Sequence, residues 1–98
     1  MRTSYATVPT DRADRYVKQL VSHLGRKAGV ALVGDGHRLT LSAGNCVVRA
    51  TLGGIELRAE AETEQALRAV EDVVARHLER FGQRNELSVA WVTDAPAD

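Results

Sequence analysis

Three arginines are the residues of this chain best placed to act together. Arg38, Arg49 and Arg58 fall at outward-facing positions of three successive stretches in which polar and apolar residues alternate. Guanidinium groups gathered on one face suit a carboxylate or another anion, because each offers forked N–H donors and a permanent charge. The competing account is a solvated face on which Glu56 and Glu60 supply the compensating charge. Three histidines make a second set. His23 and His77 come late in two amphipathic segments, and His37 follows Asp35-Gly36 at a hairpin mouth. For His77, a joint role with His23 in holding a metal or haem competes with that of a core histidine whose ring nitrogens are satisfied. His37 reads as a turn-side residue.

The remaining chemistry is scarce. With one cysteine and three scattered histidines there is no CxxC or HxxxH pairing, so neither a metal nor a cofactor is expected. Cys46 has inward parity and reads as a small core hydrophobe rather than a nucleophile. No phosphate loop leads into a helix, because Gly34-Asp35-Gly36 is hairpin chemistry. Glu56 and Glu60 read as exposed carboxylates, and no enzyme is expected. Thirteen basic residues balance thirteen acidic ones, so no global basic field draws nucleic acid. The arginine face also lacks an aromatic stacking platform between its arginines. No apolar run approaches the ~18 residues of a membrane span, and "MRTSYATVPT" has no hydrophobic stretch of a secretory signal. The expected address is the cytoplasm.

The elements that must position these residues follow from periodicity. "YATV" (Tyr5–Val8) reads as a strand that stops at Pro9. Thr10 or Asp11 then caps a helix whose apolar stripe is Val17, Leu20, Val21 and Leu24, and which ends at Gly25 to Gly29 near Lys27. A meander comes next. Taking Asp35-Gly36 as the first tip sets Leu32 opposite Leu39, and "SAGN" sets Leu39 opposite Val48. Taking Gly53-Gly54 as the third tip sets Ala50 opposite Leu57 and Arg49 opposite Arg58. With Arg38 opposite Arg49, the three arginines become one row across three strands. All three registers keep one parity, so the apolar sets share a face, whereas a one-residue slip would invert a strand. Ala31, Val33, Val47, Ala90 and Val92 fall on the open face, which would allow a homodimer through the sheet.

Thr63 caps a second helix, from about Glu64 to Phe81, that stops at Gly82. Leu67, Val70, Val74, Leu78 and Phe81 form its stripe, while Glu64–Arg68 and Asp72–Arg76 are i,i+4 pairs. "ELSVAWV" closes the chain as a strand with Leu87, Val89 and Trp91 on one face. The order is β-α-β-β-β-β-α-β: an α+β two-layer sandwich, an antiparallel sheet with two helices packed on one face, laid out like a TATA-binding-protein-like half-domain. Residues 1–98 form one domain, with a core of about 4–93 and a frayed tail at 94–98.

"RYVKQLVSH" (Arg15–His23), "GNC" (Gly44–Cys46) and "VVARHLERFGQRNELSVAW" (Val73–Trp91) resemble a small bacterial family, domain of unknown function 2218, over nearly the whole chain. The resemblance implies that Arg15, Tyr16, Gln19, His23, His77, Arg80, Phe81 and Trp91 are motif positions, none with an assigned chemical role. It also implies an accessory role in iron–siderophore metabolism, with a siderophore-interacting flavin reductase as partner. The chain departs from the family at Arg26, where relatives often carry a second histidine. An HxxH pair on the first helix is therefore missing. The implied function is a non-enzymatic accessory or ligand-binding module, and the alternative is an interaction module that dimerises through the open sheet face.

Overall fold

The structure, a computed structural model, describes residues 1–26, 29–83 and 87–93. Its elements are β1 (Arg2–Pro9), α1 (Ala13–Leu24), β2 (Gly29–Val33), β3 (Gly36–Thr40), β4 (Asn45–Ala50), β5 (Gly54–Ala61), α2 (Glu64–Phe81) and β6 (Val92–Thr93). The strands form one antiparallel sheet in the order β2-β3-β4-β5-β1-β6. The chain's first strand therefore lies inside the sheet, paired with β5 on one side and β6 on the other.

Both helices cover one face: α1 lies over β3, β4 and β5, and α2 over β4, β5 and β1. Between them and the sheet sits the core, in which Leu20, Leu39, Ile55, Leu67 and Leu78 are among the largest fully buried side chains. Two helices side by side span about 20 Å, roughly four strands at ~4.8 Å spacing, so a sheet of this width outruns its cover. The edge strand β2 shows the result. Leu32 and Val30 have inward parity, yet they remain 77% and 42% exposed.

α2 forms as its sequence dictates. Thr63 Oγ1 accepts the N–H of Ala66, Gly82 closes the last turn, and Arg68–Glu64 and Arg76–Asp72 pair along the wet side. α1 starts later than its polar residues suggest. Thr10 Oγ1 accepts the N–H of Arg12, so the threonine shapes the entry turn while Arg12 takes the cap position without a side-chain bond.

The meander keeps its expected parity but not its register. Leu39 faces Cys46 rather than Val48, Ala50 faces Ile55 rather than Leu57, and Leu32 faces His37 rather than Leu39. Each hairpin turns one residue early, at Gly34-Asp35, Ser42-Ala43 and Leu52-Gly53, which moves every pairing by two positions. Gly34 supplies the left-handed backbone of the first tip, with φ at 61°. The glycine that follows each tip serves the neighbouring strand instead. A Cβ on Gly54 would lie 2.2 Å from the Val8 carbonyl oxygen, and one on Gly44 would lie 2.2 Å from that of Glu60.

His37 moves with its hairpin. It is the second residue of β3, on the helix side opposite Val48, and is not a turn-side residue. Its Nδ1 is buried and has no hydrogen-bond partner among the described residues. The closing strand is also shorter than expected, since only Val92–Thr93 pairs with β1. Leu87, Val89 and Trp91 still pack against the core, while Ser88 and Ala90 point out. The N–H groups of Leu87 and Val89 are taken by the Gly82 carbonyl and by Glu79 of α2 rather than by a ladder. Lys27, Glu86 and the expected tail at 94–98 lie outside the described residues.

Candidate functional site

The open face does not assemble the expected arginine row. Arg49 lies opposite Glu56, and Arg38 and Arg58 both lie opposite Val47. One line of residues crosses all six strands: Ala31, Arg38, Val47, Arg58, Tyr5 and Val92. Arg49 belongs to the next line, where it bonds Glu56 and reaches Asp35 at 3.5 Å. The hydrogen bond with Glu56, followed by the charges of Glu56 and Asp35, raises the Arg49 pKa above its ordinary value. Arg58 lies 3.5 Å from Glu60 on its own strand. A basin of about 470 Å³ over this face is lined by Val47, Arg49, Glu56 and Arg58, among others. Two of the three arginines, Arg49 and Arg58, are thus paired within the protein, and little positive charge is left for a ligand.

The helix layer is different. α1 and α2 run antiparallel, so the start of α1 meets the end of α2 and the end of α1 meets its middle. The groove between them is lined at one end by Arg12, Arg15, Tyr16, Gln19, Arg80, Phe81 and Gln83, around a hollow of about 460 Å³. At the other end a hollow of about 430 Å³ is lined by His23, Leu24, Arg26, Leu41, Ser42, Val73 and His77. Among the described residues no carboxylate lines either hollow, and Arg12, Arg15, Arg26 and Arg80 make no ion pair.

Helical geometry explains the gathering. Arg15, Gln19 and His23 recur at four-residue spacing along one face of α1. Val73, His77 and Arg80 or Phe81 do the same on α2. Both faces adjoin the stripes that bury Val17, Leu20 and Leu24 and, across the groove, Val70, Val74 and Leu78. Packing those stripes onto the sheet turns the two polar faces toward each other.

Where the hollows meet, three rings touch. His23 and His77 have ring centroids 4.9 Å apart, His23 and Phe81 5.6 Å, and His77 and Phe81 6.1 Å. The His23–Phe81 contact is edge-to-face, the arrangement that aromatic quadrupoles favour. His77 Nδ1 lies 2.6 Å from the Val73 carbonyl oxygen and therefore carries the proton it donates there, which fixes the ring's orientation. His77 is half-buried and His23 is exposed. Among the described residues no group of three or more His, Cys, Asp or Glu side chains could hold a metal ion.

Seven of the motif positions, Arg15, Tyr16, Gln19, His23, His77, Arg80 and Phe81, thus line one groove. Trp91 stands apart, half-buried against the core, with an Nε1 that has no partner among the described residues. Arg12 and Arg26 join the groove although the motif does not mark them, and charge at helical spacing from Arg15 and His23 was the signal in both cases. Cys46 is buried in the core, and burial pushes its thiol up to about 12. No helix among the described residues is long and apolar enough to cross a membrane.

Comparison with known proteins bears on the family and the fold. No functionally curated protein matches the chain. PA4090 from Pseudomonas aeruginosa, solved by NMR, is similar at 30% identity, over 94% of this chain and 96% of that one, with a TM-score of 0.77. The family model described as "Uncharacterized protein conserved in bacteria" matches residues 5–92, and the chain belongs to that family, domain of unknown function 2218.

Proposed function

We propose that this protein is a ligand-binding accessory module whose site is the groove between α1 and α2 and whose ligand is an anion. One observation carries the reading. In a chain of zero formal net charge, Arg12, Arg15 and Arg80 line one hollow with Gln19 and Gln83, and no carboxylate lines it among the described residues. Guanidinium groups left without internal partners are the forks that carboxylates and phosphates recognise, and a concave wall shields them from full solvent screening. Within this reading, the accessory role in iron–siderophore metabolism, with a flavin reductase as partner, rests on family resemblance alone.

Titration of the labelled protein with citrate, inorganic phosphate and ferric siderophores, followed by NMR, tests the site. Saturable shifts confined to residues of the groove, and lost in Arg15→Ala/Arg80→Ala, are the expected result. Wild-type spectra that none of these anions moves would remove the reading.

Self-association through the sheet is a second reading with its own observations. Tyr5 and Val92 are 44% and 70% exposed on the open face, and β2 presents an uncharged edge. Sedimentation of wild type beside Val47→Glu and Leu32→Glu separates the two surfaces. A monomer in all three samples at high concentration rules this reading out.

A further inference from the structure

We infer that the ligand of this groove is an aromatic acid, a planar ring carrying carboxylates, with its ring packed among Phe81, His77 and His23. The inference rests on the anion reading above and narrows it to a chemical class. The groove has two chemically unlike ends joined at Phe81. The arginine end, with Arg15 and Arg80, asks for negative charge. The other end carries one arginine, Arg26, but is walled by Leu24, Leu41 and Val73, and more of its lining is apolar than polar. An inorganic anion or a sugar phosphate would use the first end and leave the second wet. A purely aliphatic chain would fill the second and ignore the first.

The rings at the junction select between the amphiphilic acids that fit both ends. Phe81 meets His23 edge-on, and the two imidazoles are tilted by 49° at 4.9 Å, so faces and edges of three rings are presented together. A ligand ring gains from such a cluster by joining as a further offset or edge-to-face member, which a saturated ring cannot do. Part of the platform is already set, because the His77 Nδ1–H bond to the Val73 carbonyl holds that ring beside His23. Less ordering is then left to the moment of binding.

The test uses two diacids of equal charge and similar shape, benzene-1,2-dicarboxylate and cis-cyclohexane-1,2-dicarboxylate, titrated into the intact protein by calorimetry and NMR. Wild type is expected to bind the aromatic diacid roughly tenfold more tightly than the saturated one. Phe81→Leu and, at an exposed position that does not threaten folding, His23→Leu should each shrink that preference while leaving the saturated diacid within about twofold. Arg15→Ala/Arg80→Ala should weaken both together. Equal affinity of wild type for the two diacids overturns the aromatic inference and leaves the anion reading in place. Binding of citrate or phosphate without either diacid has the same meaning. Failure of every anion overturns both.

Discussion

The rings of His23 and His77 stand 4.9 Å apart, joining the last turn of α1 to the C-terminal third of α2. This contact and the shared neighbour Phe81 tie the helices together above the core. A double-mutant cycle measures the tie. His23→Ala is expected to cost about 0.5–1 kcal/mol of unfolding free energy, and His77→Ala about 1–2 kcal/mol, since it also loses the bond to Val73. The two should fail to add by roughly 0.5–1 kcal/mol in urea denaturation. Additivity within about 0.3 kcal/mol would mean that the rings are merely neighbours.

The glycine pair at the tip of the β4–β5 hairpin separates two roles in adjacent positions. Gly53 has nothing within 4 Å of where a Cβ would stand, whereas one on Gly54 would press into the Val8 carbonyl. Gly53→Ala should therefore change stability by no more than about 0.5 kcal/mol. Gly54→Ala should cost about 2 kcal/mol or more and open the β1–β5 ladder at Pro9. Thermal melts of the two variants, with amide exchange along β1, give the comparison. Equal effects at the two positions would contradict the turn placement.

The cross-strand partner of Arg49 is open to a charge test. With Glu56 opposite and Asp35 nearby, Arg49→Glu should lower the melting temperature, and adding Glu56→Arg should recover part of the loss. Had Arg58 stood opposite, the first substitution would have relieved repulsion and raised it. Repeating the melts at 1 M salt should flatten the differences, because these side chains are largely solvated.

Cys46 makes stability depend on alkaline pH. Its thiol is raised in the folded chain from an ordinary value of 9.0 to about 12. Between those values the unfolded chain loses its proton while the folded one keeps it. The contribution is intact below pH 9 and falls as pH rises toward 12. Urea titrations across that range should show a downward slope that is shallower in Cys46→Ala. Native protein at pH 8 should resist alkylation until urea is added.

The faces of the sheet were legible from parity alone, because a strand repeats every two residues and each apolar set had to meet the same helices. Register was not. Gly34-Asp35 and Asp35-Gly36 are both acceptable hairpin tips, and the choice lies with a third strand. Gly44 and Gly54 look like turn glycines in sequence, yet their missing side chains make room for backbone from β5 and β1. The arginine row failed for that reason, since two positions of register exchange Arg58 for Glu56 opposite Arg49. His23 and His77 could each be assigned a helix face, and a groove between the helices was foreseeable. Their meeting depends on how far two antiparallel helices slide, which no local pattern records. Leu32 misled for the opposite reason: its parity is correct, but the helix layer ends before it.

The helix pair divides its duties cleanly around its circumference. Val17, Leu20, Val70, Val74 and Leu78 hold the sheet, while Arg15, Gln19, His23 and Arg80 are exposed in the groove and contribute little to the core. On the proposed reading, substitutions at Arg15, Gln19 and Arg80 would retune the charge and shape of the groove while leaving the packing beneath it in place. What the domain binds and how it folds are therefore separable along the same two helices.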